Sequence, residues 1–329
     1  MRDEKSSIFH EQESRKPDKY PWTSDFINAM WKGHWTPNEF NFQSDVHNFK
    51  VDLSAEEREI IVKTLSAIGQ IEIAVKKFWS RLGDNLPHPS LTDLGLVMAQ
   101  IEVVHNRAYE KLLDILEIHS QFEENLKLEV IGGRVKYLKK YLNKAYKNEK
   151  KQYIYSLVLF TLFVENISLF SQFYIISWFN RYKNVLKDTA QQVQYTAKEE
   201  TCHAQVGIKL IQVIRQEHPE LFDDELKERI IHEAEEAFKA ESKIVDWILA
   251  DYADKRLSKD ILKEYIKSRI NDSLFQIGFD RIYKLNPCLT RDFEWMDEEV
   301  LGNIATDFFH KRPTEYSKRH TQISADNLF

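Results

Sequence analysis

Glu102 with His105, and Glu200 with His203, form two Glu-x-x-His pairs on stretches of helical periodicity. Two more carboxylates, Glu72 and Glu165, stand alone within apolar helical stretches. On a helix, residues three apart project from one face about a turn apart, so each Glu and His can reach the same side of a bundle core. The six side chains offer four carboxylates and two imidazoles, which nearly balance two divalent cations with one imidazole for each. A single Glu-x-x-His on a charged helical chain is common and says little. The order lone Glu, pair, lone Glu, pair is far harder to reach by accident, and it matches the ligand recipe of two-metal sites inside four-helix bundles.

Each lone carboxylate also has an ordinary reading. Glu165 sits in Ser156–Phe179, the most apolar stretch of the chain, where an uncompensated charge costs several kcal/mol. A buried salt bridge is the alternative to a metal, yet no basic residue occurs in that stretch before Arg181. The stretch is long enough to raise the question of a membrane span, but Glu165, Asn166 and Gln172 interrupt it, and a central bundle helix accounts for it better. Glu72 shares a helical face with Leu65, Ile68, Val75 and Trp79, and Lys76 one turn on could pair with it as a plain helix salt bridge. Tyr109, four residues after His105, lies on the face of Glu102 and His105. Beside an oxidising metal pair its phenol could store a radical; equally, it could be a core Tyr with its hydroxyl bonded to a carboxylate.

Long helices must position these groups, and the composition supplies them. Of 329 residues, 43% are hydrophobic and 30% charged, with only 9 Gly and 8 Pro, which favours an all-α chain with short connections. Ser54 with Glu57, Ser90 with Asp93, and Ser120 with Glu123 resemble capping boxes or their acidic variant. Helices are expected near 54–82, 90–118, 122–146, 151–181, 186–217, 223–253 and 258–284. Residues 1–50 read as an arm packed on the bundle, 51–304 as a ferritin-like helical domain, and 305–329 as a polar, flexible tail. The net charge of −6 implies no bulk attraction to nucleic acid or an anionic membrane. Two cysteines, Cys202 and Cys288, form no disulfide framework, and the N-terminus lacks the apolar core of a signal peptide, so a cytoplasmic protein is expected. Cys202 lies between two ligand positions and should point away from the metals as a small core residue.

Over nearly its whole length the chain resembles the small, radical-generating subunit of class I ribonucleotide reductase. The likeness is carried by EVVHNRAY from Glu102 to Tyr109, FVEN around Glu165, KEETCH from Lys198 to His203, HWTP from His34 to Pro37, and DFFHKRPTEYSK from Asp307 to Lys318. The resemblance implies metal ligation by Glu72, Glu102, His105, Glu165, Glu200 and His203. It implies an internal electron route through Trp35, Glu199 and His105, and a mobile-tail relay at Tyr316. Asn327, Leu328 and Phe329 would then be the docking peptide for a large catalytic (alpha) subunit, where nucleotide reduction takes place. A homodimer is implied as well. In keeping with that division of labour, the chain has neither the paired cysteines for reducing a ribonucleotide nor a Gly-rich phosphate cradle.

Two positions depart from the common iron and tyrosyl-radical pattern: Glu72 and Glu199 stand where Asp is usual. Glu at the first ligand with a retained Tyr109 is similar to the dimanganese branch known as class Id. Two Mn are therefore the expected cofactor, with Fe/Fe plus a Tyr109 radical, or Mn/Fe, as alternatives. Lys76, one turn from Glu72, is expected to guide an anionic oxidant such as superoxide toward the metals. A ferritin-like metal-storage protein would use a comparable ligand set but has no need of Trp35 or a Tyr-bearing tail, and a ferritin-like oxidase would need a substrate cavity beside the metals, against which the large aromatics around Glu165 argue.

Overall fold

The computed structural model describes residues 7–142 and 144–309; the side chains of residues 70, 72–75, 137, 138, 141, 142 and 300–309 lie outside that description. The described residues form helices and no strand, with one isolated bridge between Asp254 and Leu257. The principal helices are α1 (Thr23–Gly33), α2 (Ala55–Trp79), α3 (Pro89–Ile115), α4 (Glu129–Leu138), α5 (Glu149–Val158), α6 (Phe170–Lys183), α7 (Lys187–Glu217), α8 (Asp224–Leu249), α9 (Lys259–Gln276) and α10 (Pro287–Phe309). α2 packs along α3, α7 packs on α6, and α8 and α9 pack together behind them. This is the all-α, ferritin-like architecture that the sequence predicts.

Local chemistry sets the helix ends. Ser54 caps α2 in a full capping box with Glu57. Asn148, Asp223 and Ser258 cap α5, α8 and α9, each accepting from the backbone amide three residues on. α7 begins without a side-chain cap of its own. Its first amides are taken instead by Asp45, buried in the arm, whose Oδ2 accepts from Thr189 N and Thr189 Oγ1, both at 2.7 Å.

Ser156–Phe179 is covered by its neighbours, as expected of a central element, but it is not one straight helix. α5 passes into a π-helical turn at Leu159–Glu165, then four turn residues precede α6. The Phe163 carbonyl, five residues back, accepts both Ser168 N (3.2 Å) and Ser168 Oγ (2.6 Å). Such π turns cluster at functional sites, because the extra residue re-aims the side chains around it. α7 comes close enough to this turn that a Cβ on Gly207 would lie 2.1 Å from Thr161 Oγ1.

Other expectations are corrected. Ser90 and Ser120 are not caps: α3 starts at Pro89 after His88, and Ser120 lies inside a short helix, His119–Asn125. That short helix, α4 and a 3-10 turn at Lys139–Leu142 replace the single helix expected over 122–146. α9 stops at Gln276 rather than near 284, because Gly278 takes φ +83° and Phe279 N reaches back to the Leu274 carbonyl, a glycine-ended helix terminus. Two of the principal helices escaped the periodicity. α1 lies within the arm, and α10 runs past residue 305, behind the readable start Asn286-Pro287.

Candidate metal centre

α3 brings Glu102 and His105 to its buried face, α7 brings Glu200 and His203, and the π turn ends on Glu165. All five side chains are sealed from solvent, none more than 1% exposed. One ligand atom from each of Glu102, Glu165, Glu200 and His203 lies within 4.8 Å of the other three. His105 joins them, with Nδ1 3.3 Å from Glu102 Oε2 and 3.1 Å from Glu200 Oε1.

His203 Nδ1 is 2.7 Å from Glu102 Oε1, yet neither atom makes a hydrogen bond. Both Glu102 oxygens, Glu165 Oε2, Glu200 Oε2 and both His203 nitrogens are buried with no hydrogen-bond partner. A buried acceptor left unsatisfied costs about 1–3 kcal/mol, and a charged one more. So many converging on one point, with no buried Lys or Arg of the described residues among them, fit divalent metal. Oxygen and imidazole donors suit Mn and Fe.

The electrostatics agree. Burial, with Glu200 and Glu102 beside it, pushes the Glu165 carboxyl well above the usual carboxylate range. Burial works against ionisation of Glu200 too, but the Glu165, His105 and His203 side chains around it hold it below that range. Burial disfavours protonated imidazoles, and the surrounding carboxylates overcome it, raising His105 well above its ordinary value and His203 to about 9. The cluster attracts positive charge and takes protons where no stronger cation is supplied.

The other expected residues fall around this centre. Glu199 Oε2 accepts from Trp35 Nε1 at 2.8 Å and lies 2.7 Å from His105 Nε2, so one carboxylate oxygen joins the indole to the imidazole. The Trp35 and His105 rings are 6.3 Å apart and near-parallel. The Tyr109 hydroxyl donates to Thr196 Oγ1 at 3.3 Å, one turn before Glu200. Lys76 Nζ donates to Asn106 Oδ1 at 3.1 Å, which sets the ammonium against α3 one residue past His105. Cys202 is buried, and burial pushes its thiol up to about 12, so it sits inertly within the core. The Glu72 side chain, Tyr316 and the Asn327–Phe329 segment lie outside the described residues. Leu65, Ile68 and Trp79, on the face assigned to Glu72, are all buried.

Some site residues escaped the sequence reading. Trp79 Nε1 donates to Glu165 Oε1 at 2.5 Å, a bond that fixes one oxygen of the carboxyl group. Its register with Glu72 was visible; its polar role was not. The buried Arg134 pairs with Glu241 at 2.9 Å rather than with Glu165, and among the described residues no Lys or Arg pairs with Glu165.

A family model described as "Ribonucleotide reductase, small chain" matches residues 14–287. The chain belongs to the ribonucleotide reductase small-chain family. Among its relatives, a ribonucleoside-diphosphate reductase subunit beta from Chlamydia pneumoniae is 28% identical over 320 residues, covering 91% of this chain and 88% of that protein. The counterpart from Treponema pallidum is 22% identical, over 93% of this chain and 88% of that one. In solved structures, the fold is shared with the ribonucleotide reductase R2 subunit from Clostridium botulinum (TM-score 0.72, 20% identity, 85% of this chain and 88% of that chain). It is shared also with a dimanganese(II)-NrdF from Streptococcus sanguinis (TM-score 0.73, 14% identity, 86% of this chain and 99% of that chain). As a class I ribonucleotide reductase small subunit, the chain is an oxidoreductase component that works with a large-subunit partner. The described residues of this chain hold a carboxylate and histidine cluster that could bind metal, and the Streptococcus sanguinis protein is described as dimanganese.

Proposed function

We propose that this small subunit carries a dimanganese cofactor on Glu72, Glu102, His105, Glu165, Glu200 and His203, and sends its oxidising equivalent out through Glu199 and Trp35. The observation that carries the route is the single Glu199 oxygen bridging Trp35 Nε1 and His105 Nε2. When bound, the metal pair supplies one-electron oxidising power. The chain's own residues do the rest. Glu102, Glu165 and Glu200 provide anionic oxygen donors, and His203 and His105 each present an imidazole nitrogen to the cluster. Glu199 holds the indole N–H and fixes the orientation of the His105 ring, as an outer carboxylate does for a metal-bound histidine. That bond also gives Trp35 a place to leave a proton if the indole is oxidised. The apolar wall, with Trp79 stacked edge-on against Phe160, keeps water from the ligands.

Glu72 together with a retained Tyr109 supports manganese over iron, and Lys76 beside Asn106 supports an anionic oxidant entering along α3. Tyr316 is proposed to hand the equivalent to the large subunit, with Asn327, Leu328 and Phe329 docking there, and two copies of the chain to pair in the cytoplasm. Metal analysis of protein from metal-replete cells, with an electron paramagnetic resonance (EPR) spectrum after activation, tests the cofactor. Two Mn per chain are expected; a stable tyrosyl signal over two Fe would replace this reading. With the cognate large subunit, Tyr316→Phe is expected to abolish nucleotide reduction while metal oxidation persists, and retained turnover would remove Tyr316 from the route. Activation of the Mn-loaded protein by superoxide that is unchanged in Lys76→Ala would remove the oxidant guide.

A further inference from the structure

The break that follows Glu165 frees backbone carbonyls inside the core. Phe170 N turns to the Ile167 carbonyl at 3.3 Å, and Gln172 N to the Leu169 carbonyl at 3.1 Å. The carbonyls of Asn166 and Ser168, four residues back from those amides, therefore lose their α-helical partners. A buried carbonyl without a donor is costly, so something must supply one. Two arginines from different helices do so.

From α9, Arg269 Nε donates to the Asn166 carbonyl at 2.6 Å and Arg269 Nη2 to Asn166 Oδ1 at 2.5 Å. The guanidinium also lies 3.3 Å from the centre of the Phe170 ring, at the first residue of α6. One turn further along α9, Ser273 Oγ accepts from Asn166 Nδ2 at 2.7 Å. The residue bonded directly to Glu165 is thus gripped at its carbonyl, its amide oxygen and its amide nitrogen by a single helix. From the other side, Arg134 of α4 donates to the Ser168 carbonyl and, at 2.9 Å, to Gln172 Oε1, while its Nε is held by Glu241.

The geometry points to Arg269 as a positioning residue: its fork on Asn166 keeps the extra residue of the π turn ahead of Glu165, and so aims that carboxylate at the metal ligands of α3 and α7. The inference rests on Glu165 as a metal ligand. Without the fork, the Asn166 carbonyl regains a reason to bond the Phe170 amide, and the extra residue can move along the helix. Each residue of such a slip turns a side chain by about 100° around the axis, which would carry Glu165 off the cluster. Arg is required rather than Lys because only a planar fork serves a carbonyl and an amide oxygen together while stacking on a ring.

The test uses the full chain, wild type beside Arg269→Gln, Arg269→Lys, Asn166→Ala and the Arg269→Gln/Asn166→Ala double variant. Hydrogen–deuterium exchange is followed over residues 160–172, and Mn(II) is titrated by EPR. Each single variant is expected to speed exchange in that segment alone and to weaken one of the two Mn(II) by about tenfold, the lower end for lost outer partners of a metal ligand. The double variant should lose clearly less than the sum of the two singles, because both remove the bond between the Arg269 guanidinium and Asn166 Oδ1. Unchanged exchange, unchanged Mn(II) affinity, a near-wild-type Arg269→Lys, or equal weakening of both ions alongside a global rise in exchange would each overturn the inference. If wild type itself binds no Mn(II) or Fe(II), the ligand assignment fails instead, and the exchange data still report on the grip.

Discussion

Gly207→Ala should disturb the metal centre although residue 207 is two turns from Glu200 and is no ligand. A Cβ there would lie 2.1 Å from Thr161 Oγ1, 2.2 Å from Cγ2 and 2.7 Å from Cβ. Carbon atoms pack at about 3.5–4.0 Å, so α7 and the π turn must part by roughly 1 Å or more. Rotating Thr161 moves its Oγ1 and Cγ2 but leaves its Cβ in place, so a change of rotamer cannot clear the clash. Against this, replacing Gly by Ala within a helix gains about 1 kcal/mol. Overpacking costs about 1–3 kcal/mol, and a clash that includes a backbone-attached carbon belongs at or above the top of that range. The net destabilisation is then about 2 kcal/mol, on the order of a 4 °C fall in Tm at roughly 2 °C per kcal/mol for a chain of this size. Calorimetry of chelator-stripped protein reads the stability, and an Mn(II) titration reads the site, since Thr161 lies one turn before Glu165. Thr161→Ala in the Gly207→Ala background should recover part of both losses, because it removes two of the three clashing atoms. A Gly207→Ala protein as stable as wild type, with two Mn(II) bound at unchanged affinity, would refute the claim that this contact sets the π turn.

Trp79→Phe keeps the ring but removes the N–H from Glu165, a bond to a charged group worth about 1.5–3 kcal/mol; metal affinity in a chelator competition should fall accordingly, and an unchanged value would show that Trp79 only packs. Arg134→Met leaves Glu241 buried without its cation and should cost about 3–5 kcal/mol in urea unfolding, whereas Arg134→Met/Glu241→Leu should recover most of it; equal losses would mean that the arginine's backbone bonds, not the ion pair, carry the effect. In stripped protein, the raised His203 contributes stability that is complete below its unfolded value of about 6.5 and is lost as pH rises through about 9, and the raised Glu165 carboxyl loses stability in the same direction from above about 4.5. Unfolding free energy should therefore fall between pH 6.5 and 9 without metal and hold level with Mn(II) bound; parallel curves would show that protons and metal do not compete for the cluster.

The ligand spacing was legible because a helix converts three residues of sequence into one turn of space, and that conversion survives whatever packs outside it. Glu102, His105, Glu200 and His203 were found on those terms. Glu165 was found for a different reason, since a carboxylate among Leu, Phe and Ile demands compensation. What could not be read was the π turn, for an extra residue in a helix is a response to tertiary contacts: the fit of Gly207 against Thr161, and arginines arriving from α4 and α9. The capping signals failed similarly. Ser90 and Ser120 have the right neighbours for a capping box, but Pro89 and the turn at Ile118 start their helices one or two residues earlier. Asp45 capping α7 from 144 residues away leaves no local trace at all.

The protonation pattern bears on how the cluster balances its charge. Glu102, Glu165 and Glu200, all ionised and sealed in a core, would repel one another by many kcal/mol. The rise of the Glu165 carboxyl and of both imidazoles means that protons neutralise the cluster when cations are scarce. A cluster balanced in this way would take up metal in exchange for protons. A small zinc-stabilised domain works differently, since there the metal supplies the folding energy itself. Exchange with protons ties metal loading to pH and to supply, and it leaves the choice between Mn and Fe to the aim of a few carboxylates. Of the groups that touch this segment, Trp79 donates to an oxygen of Glu165, and Arg269 donates to the carbonyl of the residue that follows it. A search for the determinants of metal identity in this chain should therefore begin with those two side chains, ahead of the ligands that iron and manganese would share.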